Sequence, residues 1–203
     1  EYEQTKKDNC LKIVAALCGV TLQFFKTNIL PLCEMKRPKP RIVFQLTYRD
    51  PKGGLNRMVV ENANMFSKKY DVVIYTCGQP YKNGYPSCAE VKELAINHSP
   101  GQIEEHLNVL LLLQTDIYIY SYCCCKETLP LLEQVKQLGI KTIAWSHEDY
   151  FLPYWRESLR DSIAPRKKFL PKADAVVWLN TSSQALYGMR YTNGICIPNP
   201  SRN

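Results

Sequence analysis

A chain of 203 residues is long enough for one sizeable core or one large α/β domain. With 45% hydrophobic and 22% charged residues it has the balance of an ordinary globular protein, and no run reaches the roughly 18 apolar residues a membrane-crossing helix needs. A formal net charge of +7 favours anionic partners such as phosphates or an acidic membrane surface. The cations are scattered and lack interleaved aromatic residues, which argues against nucleic acid.

The opening "EYEQ" has neither a Met nor the basic start of a secretory signal, and with the ending "IPNPSRN" it suggests a trimmed chain. The nine cysteines are odd in number and contain no C-x-x-C pair, and the adjacent Cys123, Cys124 and Cys125 cannot easily share one tetrahedral metal. Most of them read as buried, reduced thiols in a reducing compartment, so the expected location is cytoplasmic, at most at the inner face of a membrane, with no metal site.

In chain order, residues 4–33 predict a helical preamble, with Leu11, Val14, Cys18, Leu22 and Phe25 at helical spacing and Pro31 helping to end it. "KRPKP" at 36–40 is a stiff basic linker. Seven short apolar runs follow at 41–48, 71–77, 90–96, 116–122, 141–147, 174–180 and 194–198, each rich in β-branched or aromatic residues. Helical stretches fall between most of them. "KETLPLLEQVKQLG" places Pro130 in a first turn and Gly139 at a C-cap, "YWRESLRDSIAPRKKFL" reads as one helix, and "TSSQALYGMRY" takes Thr181 or Ser182 as its N-cap. The alternation predicts an α/β fold: a Rossmann-like three-layer domain over 41–200, with a mostly parallel sheet of six or seven strands, preceded by the helical segment and linker of 1–40.

Three stretches carry possible chemistry. In "RDPKGGLNR" the expected first strand runs into the first helix, where free amides and a positive dipole end face the carboxyl rim of the sheet. Gly53 and Gly54 would let the backbone approach a diphosphate closely or adopt positive φ, and Lys52 and Arg57 would add charge; a plain tight turn is the structural alternative. Neither G-x-G-x-x-G nor a Walker loop is present. In "IAWSHEDY", His147, Glu148 and Asp149 emerge on the same rim. The histidine could accept a proton or orient a hydroxyl with a carboxylate fixing its tautomer, or the three could cap the next helix. In "DIYIYSYCCCKE", Tyr118, Tyr120 and Tyr122 share one strand face; Tyr122 could touch an acceptor, although packing against a helix suits all three. His98, in a loop, and His106, within a helix, look structural.

Together these motifs resemble the N-terminal domain of family 4-like retaining glycosyltransferases with the GT-B fold. "RIVFQLTYRDPKGGLNRMVVENANMFSKKYDVVIYT" is similar to that family's first strand, Gly-Gly loop, helix and second strand, "KTIAWSHEDY" to its His-bearing loop, and "KADAVVWLNTSSQALY…NGICIPNP" to the segment before the crossover into the second domain. The resemblance covers about residues 41 to 200. It implies a hexosyltransferase in which a C-terminal donor-binding domain, apparently absent from this chain, holds most of a nucleotide sugar. That donor is a substrate, so no cofactor is implied. Gly53, Gly54 and Arg57 would meet the donor diphosphate, His147 would act at the reaction centre, and Lys52, Tyr122, Glu148 and Asp149 would face a glycan, lipid or polymer acceptor. The fragment alone would be nearly inactive. A binding or scaffold module that keeps the fold without catalysis is the alternative.

Overall fold

The computed structural model describes residues 2–46, 53–77, 85–99, 101–121, 126–147 and 150–198. Seven strands, β1 (Arg41–Leu46), β2 (Asp71–Thr76), β3 (Lys92–Ala95), β4 (Ile117–Tyr120), β5 (Lys141–Ser146), β6 (Ala175–Trp178) and β7 (Gly194–Cys196), form one sheet in the order β3-β2-β1-β4-β5-β6-β7. Every pairing is parallel. All seven apolar runs are therefore strands. β1 is buried along its whole length, which is why it reads as a continuous apolar run rather than an alternation.

Helix α4 (Gly54–Phe66) covers one face through Val59, Val60 and Ala63, against Ile42, Phe44, Leu46, Ile119 and Trp145. Helices α5 (Ile103–Leu112) and α6 (Leu131–Gln137) cover the other, packing Val109, Leu110, Leu132 and Val135 on Val43, Tyr75, Tyr118 and Tyr120.

The preamble is broken. Helix α1 (Tyr2–Leu17) stops at a turn where Gly19 takes φ +64. Thr21 then caps α2 (Leu22–Phe24), accepting from the Phe24 amide at 3.2 Å. A π-helical turn over Phe25–Ile29 leads into α3 (Leu30–Glu34), where Pro31 lies in the first turn instead of ending the run. Ala15, Cys18, Phe25 and Ile29 join the α5-side core. No single helix among the described residues is long and apolar enough to cross a membrane; Thr5–Leu17 and Leu22–Glu34 meet that test only as a pair bent by 100°.

Two other helix expectations are corrected. The stretch read as one helix at 154–170 is divided into α7 (Leu152–Trp155), a 3₁₀ segment (Glu157–Ser162) and α8 (Ile163–Phe169). Helix α9 (Thr181–Gly188) is capped by Asn180, whose Oδ1 accepts from the Ser183 amide at 2.6 Å, rather than by Thr181 or Ser182. Pro130 occupies the cap position before α6, and Gly139 follows that helix at φ +80.

Candidate functional site

The carboxyl ends of β1, β4 and β5 lie side by side, and the mouth of α4 opens beside them. This is where ligands bind in open parallel sheets. Gly53 is the N-cap of α4 in extended conformation, φ −76 and ψ 127, so it does not use positive φ. As a glycine it offers no capping side chain to the first-turn amides of α4. A Cβ placed on Gly54 would meet nothing within 4 Å.

Arg57 lies one turn into α4 and pairs with Glu61 at 2.8 Å, with both side chains part-exposed. An i,i+4 pair of this kind is worth only about 0.3–0.5 kcal/mol, so an anion at the helix mouth could compete for the guanidinium. Lys52, Tyr122, Glu148 and Asp149 lie outside the described residues.

His147 follows the last residue of β5. Its ring lies 4.3 Å from that of Trp145, tilted by 46°, and its Nε2 is buried with no hydrogen-bond partner. Burial holds its pKa down to about 4, so the imidazole is neutral at ordinary pH. Three further buried atoms on the α4 side also lack partners: Trp145 Nε1, Ser121 Oγ just beyond β4, and Asn56 Oδ1 in the first turn of α4. Buried polar atoms in folded proteins are nearly always bonded, which makes these four atoms candidates for contact with a ligand. Sequence reasoning found His147 but missed Asn56, Ser121 and Trp145. The only signal available for them was their position at a strand end or first helical turn.

On the α5 side the structure joins the two histidines that looked unrelated in sequence. His98 Nε2 lies 2.7 Å from the Cys18 carbonyl, which can only accept, so Nε2 carries the proton and Nδ1 accepts from Tyr75 Oη at 2.6 Å. His106 lies between Cys77 Sγ, 3.6 Å from its Nδ1, and Tyr118 Oη, 3.3 Å from its Nε2. Burial pushes His106 down to about 3 and lowers His98. Tyr118 and Tyr120 pack on this face as aromatic core, and Tyr120 bonds Thr128. The described cysteines, 10, 18, 33, 77, 88 and 196, form no disulfide with one another; only Cys18 is buried, Cys10 being exposed and the rest half-buried, and burial raises the Cys18 thiol to about 11. Among the described residues no three His, Cys, Asp or Glu side chains are grouped to hold a metal.

No family model and no curated protein matches the sequence. Solved structures match the fold. A lipopolysaccharide outer core galactosyltransferase, WaaB, in its apo form superposes with a TM-score of 0.55 at 14% identity, over 79% of this chain and 46% of that one. Phytolacca americana apo UGT2 gives 0.55 at 12% identity, over 79% and 52%. A UGT transferase from Siraitia grosvenorii in complex with UDP gives 0.51 at 8% identity, over 81% and 50%. This chain thus spans about half the length of the structures it matches, and at these identities the likeness is one of fold: a glycosyltransferase-like, Rossmann-type domain.

Proposed function

We propose that this chain is the N-terminal, acceptor-side domain of a retaining, family 4-like GT-B glycosyltransferase that moves a hexose from a nucleotide sugar to a glycan, lipid or polymer acceptor, with a second domain completing the donor site. The observation that carries the reading is the occurrence, on one rim, of a glycine-headed helix, in which a Cβ on Gly54 would meet nothing within 4 Å, and of the buried, unpartnered Nε2 of His147. Sugar transfer builds negative charge on the leaving diphosphate. Amides already fixed at the head of α4, with Arg57 and Lys52, stabilise that charge as it forms and need no reorganisation. Neutral His147 hydrogen-bonds a hydroxyl of the reacting sugars, and its dry setting on Trp145 strengthens that bond. Acceptor contacts are assigned in this reading to Tyr122, Glu148 and Asp149 on the family resemblance alone.

The same reading places the enzyme in the cytoplasm, at the inner face of a membrane. Trp155, 79% exposed, stacks on Phe151 beside Tyr154, and Lys167 lies 5.5 Å from the Tyr154 ring. Aromatic residues and cations together suit an anionic lipid interface. The test is nucleoside diphosphate release by the protein in its full natural length, with a panel of nucleotide sugars. Sugar transfer lost in His147→Ala and in Gly54→Val supports the reading. Transfer untouched by either variant overturns the roles given to them, and no transfer with any donor overturns the enzyme.

A further inference from the structure

The α5 side of the rim holds a cavity of about 40 Å3, enough for a water-sized molecule or two and too small for a sugar ring. Cys77, half-buried just beyond β2, and Gln45, near the end of β1, both line it. Gln45 has no exposed surface. Its Nε2 donates to Cys77 Sγ at 3.5 Å, while its Oε1 is buried without a partner.

A second nitrogen faces the same sulfur. Tyr118 is fully buried, and among the described residues its hydroxyl has one partner, His106 Nε2 at 3.3 Å. A buried hydroxyl has to give its proton to an acceptor, so Nε2 accepts and the ring proton sits on Nδ1. Burial keeps the imidazole neutral, which leaves it that one proton. The Nδ1–H therefore faces Cys77 Sγ, 3.6 Å away. A sulfur that accepts from two N–H groups holds negative charge more readily than one set in an apolar wall. None of the other described cysteines has a nitrogen donor at its sulfur; Cys88 lies 3.4 Å from the Ser67 hydroxyl, and Cys10 is exposed.

A nucleophilic sulfur, a water-sized space and an accepting oxygen that lacks a donor together fit one small electrophile, a hydroperoxide. We propose that Cys77 is a site of oxidation by hydrogen peroxide to the sulfenic acid, with Gln45 Oε1 accepting the proton of the new S–OH. The sulfur attacks one peroxide oxygen and the O–O bond breaks. The second oxygen leaves with the thiol proton as water, so sulfur is oxidised and the peroxide reduced. A reducing thiol then restores Cys77. Cys77 reacts in this way whether or not the chain transfers sugar.

The test is a brief pulse of equimolar hydrogen peroxide on the full-length protein, stopped with catalase and followed by unfolding in dimedone. Unfolding opens every thiol to the trap, so peptide mass spectrometry reads only where peroxide reacted. Cys77 should carry about tenfold more adduct than Cys10 despite its lower exposure, the gain expected of one hydrogen bond to a charged sulfur. Gln45→Leu removes both the donor and the accepting oxygen, and should bring Cys77 down to the level of Cys10 while the melting temperature holds. Gln45→Met, closer in shape, serves the same purpose should the leucine variant fold poorly. Adduct at Cys77 no greater than at Cys10 in the unaltered protein overturns the proposal. Oxidation at full rate in the Gln45 variants overturns it as well.

Discussion

The two ends of the sheet differ in how completely their buried polar groups are bonded. At the amino end they are paired. Arg41, fully buried at the start of β1, donates to Asp71 at 2.7 Å and to the carbonyls of Leu113 at 2.6 Å and Leu32 at 3.0 Å, and Lys92 also pairs with Asp71. Asp116 and Asp174, each just before a strand, take the amides of Arg41 and Thr142 at 2.7 and 2.8 Å. At the carboxyl end Gln45, Asn56, Ser121, Trp145, His147 and Trp178 each keep a buried atom without a partner. The amino-end groups hold the strand starts together, whereas the carboxyl-end atoms contribute no bond to the fold.

The strongest way to break this contrast is at Arg41. Arg41→Ala leaves the Asp71 carboxylate with Lys92 as its remaining cation and takes a donor from two carbonyls, and should lower stability by about 3 kcal/mol in urea denaturation. A loss under about 1 kcal/mol would mean the amino-end network is ornamental. At the other end the expected loss is of function. His147→Ala should reduce sugar transfer about a hundredfold or more while the melting temperature stays within a few degrees, since no bond is removed. Gly54→Val should do the same, because a Cβ there meets no protein atom within 4 Å.

Acid tests the contrast next. His106 and His147 have folded pKa values of about 3 and 4, below the unfolded value near 6.5, so between those limits the unfolded chain binds more protons. Their contribution to stability is whole above about pH 6.5 and falls as pH drops toward 4. By pH 5 the fall should be on the order of 2 kcal/mol for each. Melting curves across that window check it, and His106→Gln should flatten the profile. The Asp71 carboxyl is also held below its usual range, net of burial, by its bonds and charge contacts with Lys92 and Arg41. Its stabilisation is therefore lost only at lower pH, which separates the two ends.

How much of this was legible in the sequence depended on whether a residue's partner was local. The strands were legible because each is an apolar run bounded by breakers, and their carboxyl ends could be ordered along one rim without coordinates. Gly53, Gly54 and His147 could be put on that rim for the same reason. The His98–Tyr75 and His106–Tyr118 contacts were not legible, since each joins segments 12 or more residues apart through side-chain direction alone. Thr181 misled as a cap because Asn180, one residue earlier, reaches the same turn.

The smallest effect isolates the contrast most cleanly, because it compares two hydroxyls at equal depth. Thr142 is fully buried at the amino end of β5, and its Oγ1 donates to Asp174 Oδ2 and accepts from the Asp174 amide, both at 3.2 Å. Ser121 is 1% exposed at the carboxyl end, and its Oγ bonds nothing. Thr142→Val keeps the shape but leaves a carboxylate oxygen and an amide with fewer bonds, and should lose about 1–2 kcal/mol. Ser121→Ala removes a hydroxyl whose desolvation nothing offsets, so stability should hold or rise by up to about 1 kcal/mol. Denaturation of the two variants side by side reads the difference directly. Equal losses would show that the carboxyl-end orphans are bonded in solution, and the case for a rim held open to a ligand would fall with them.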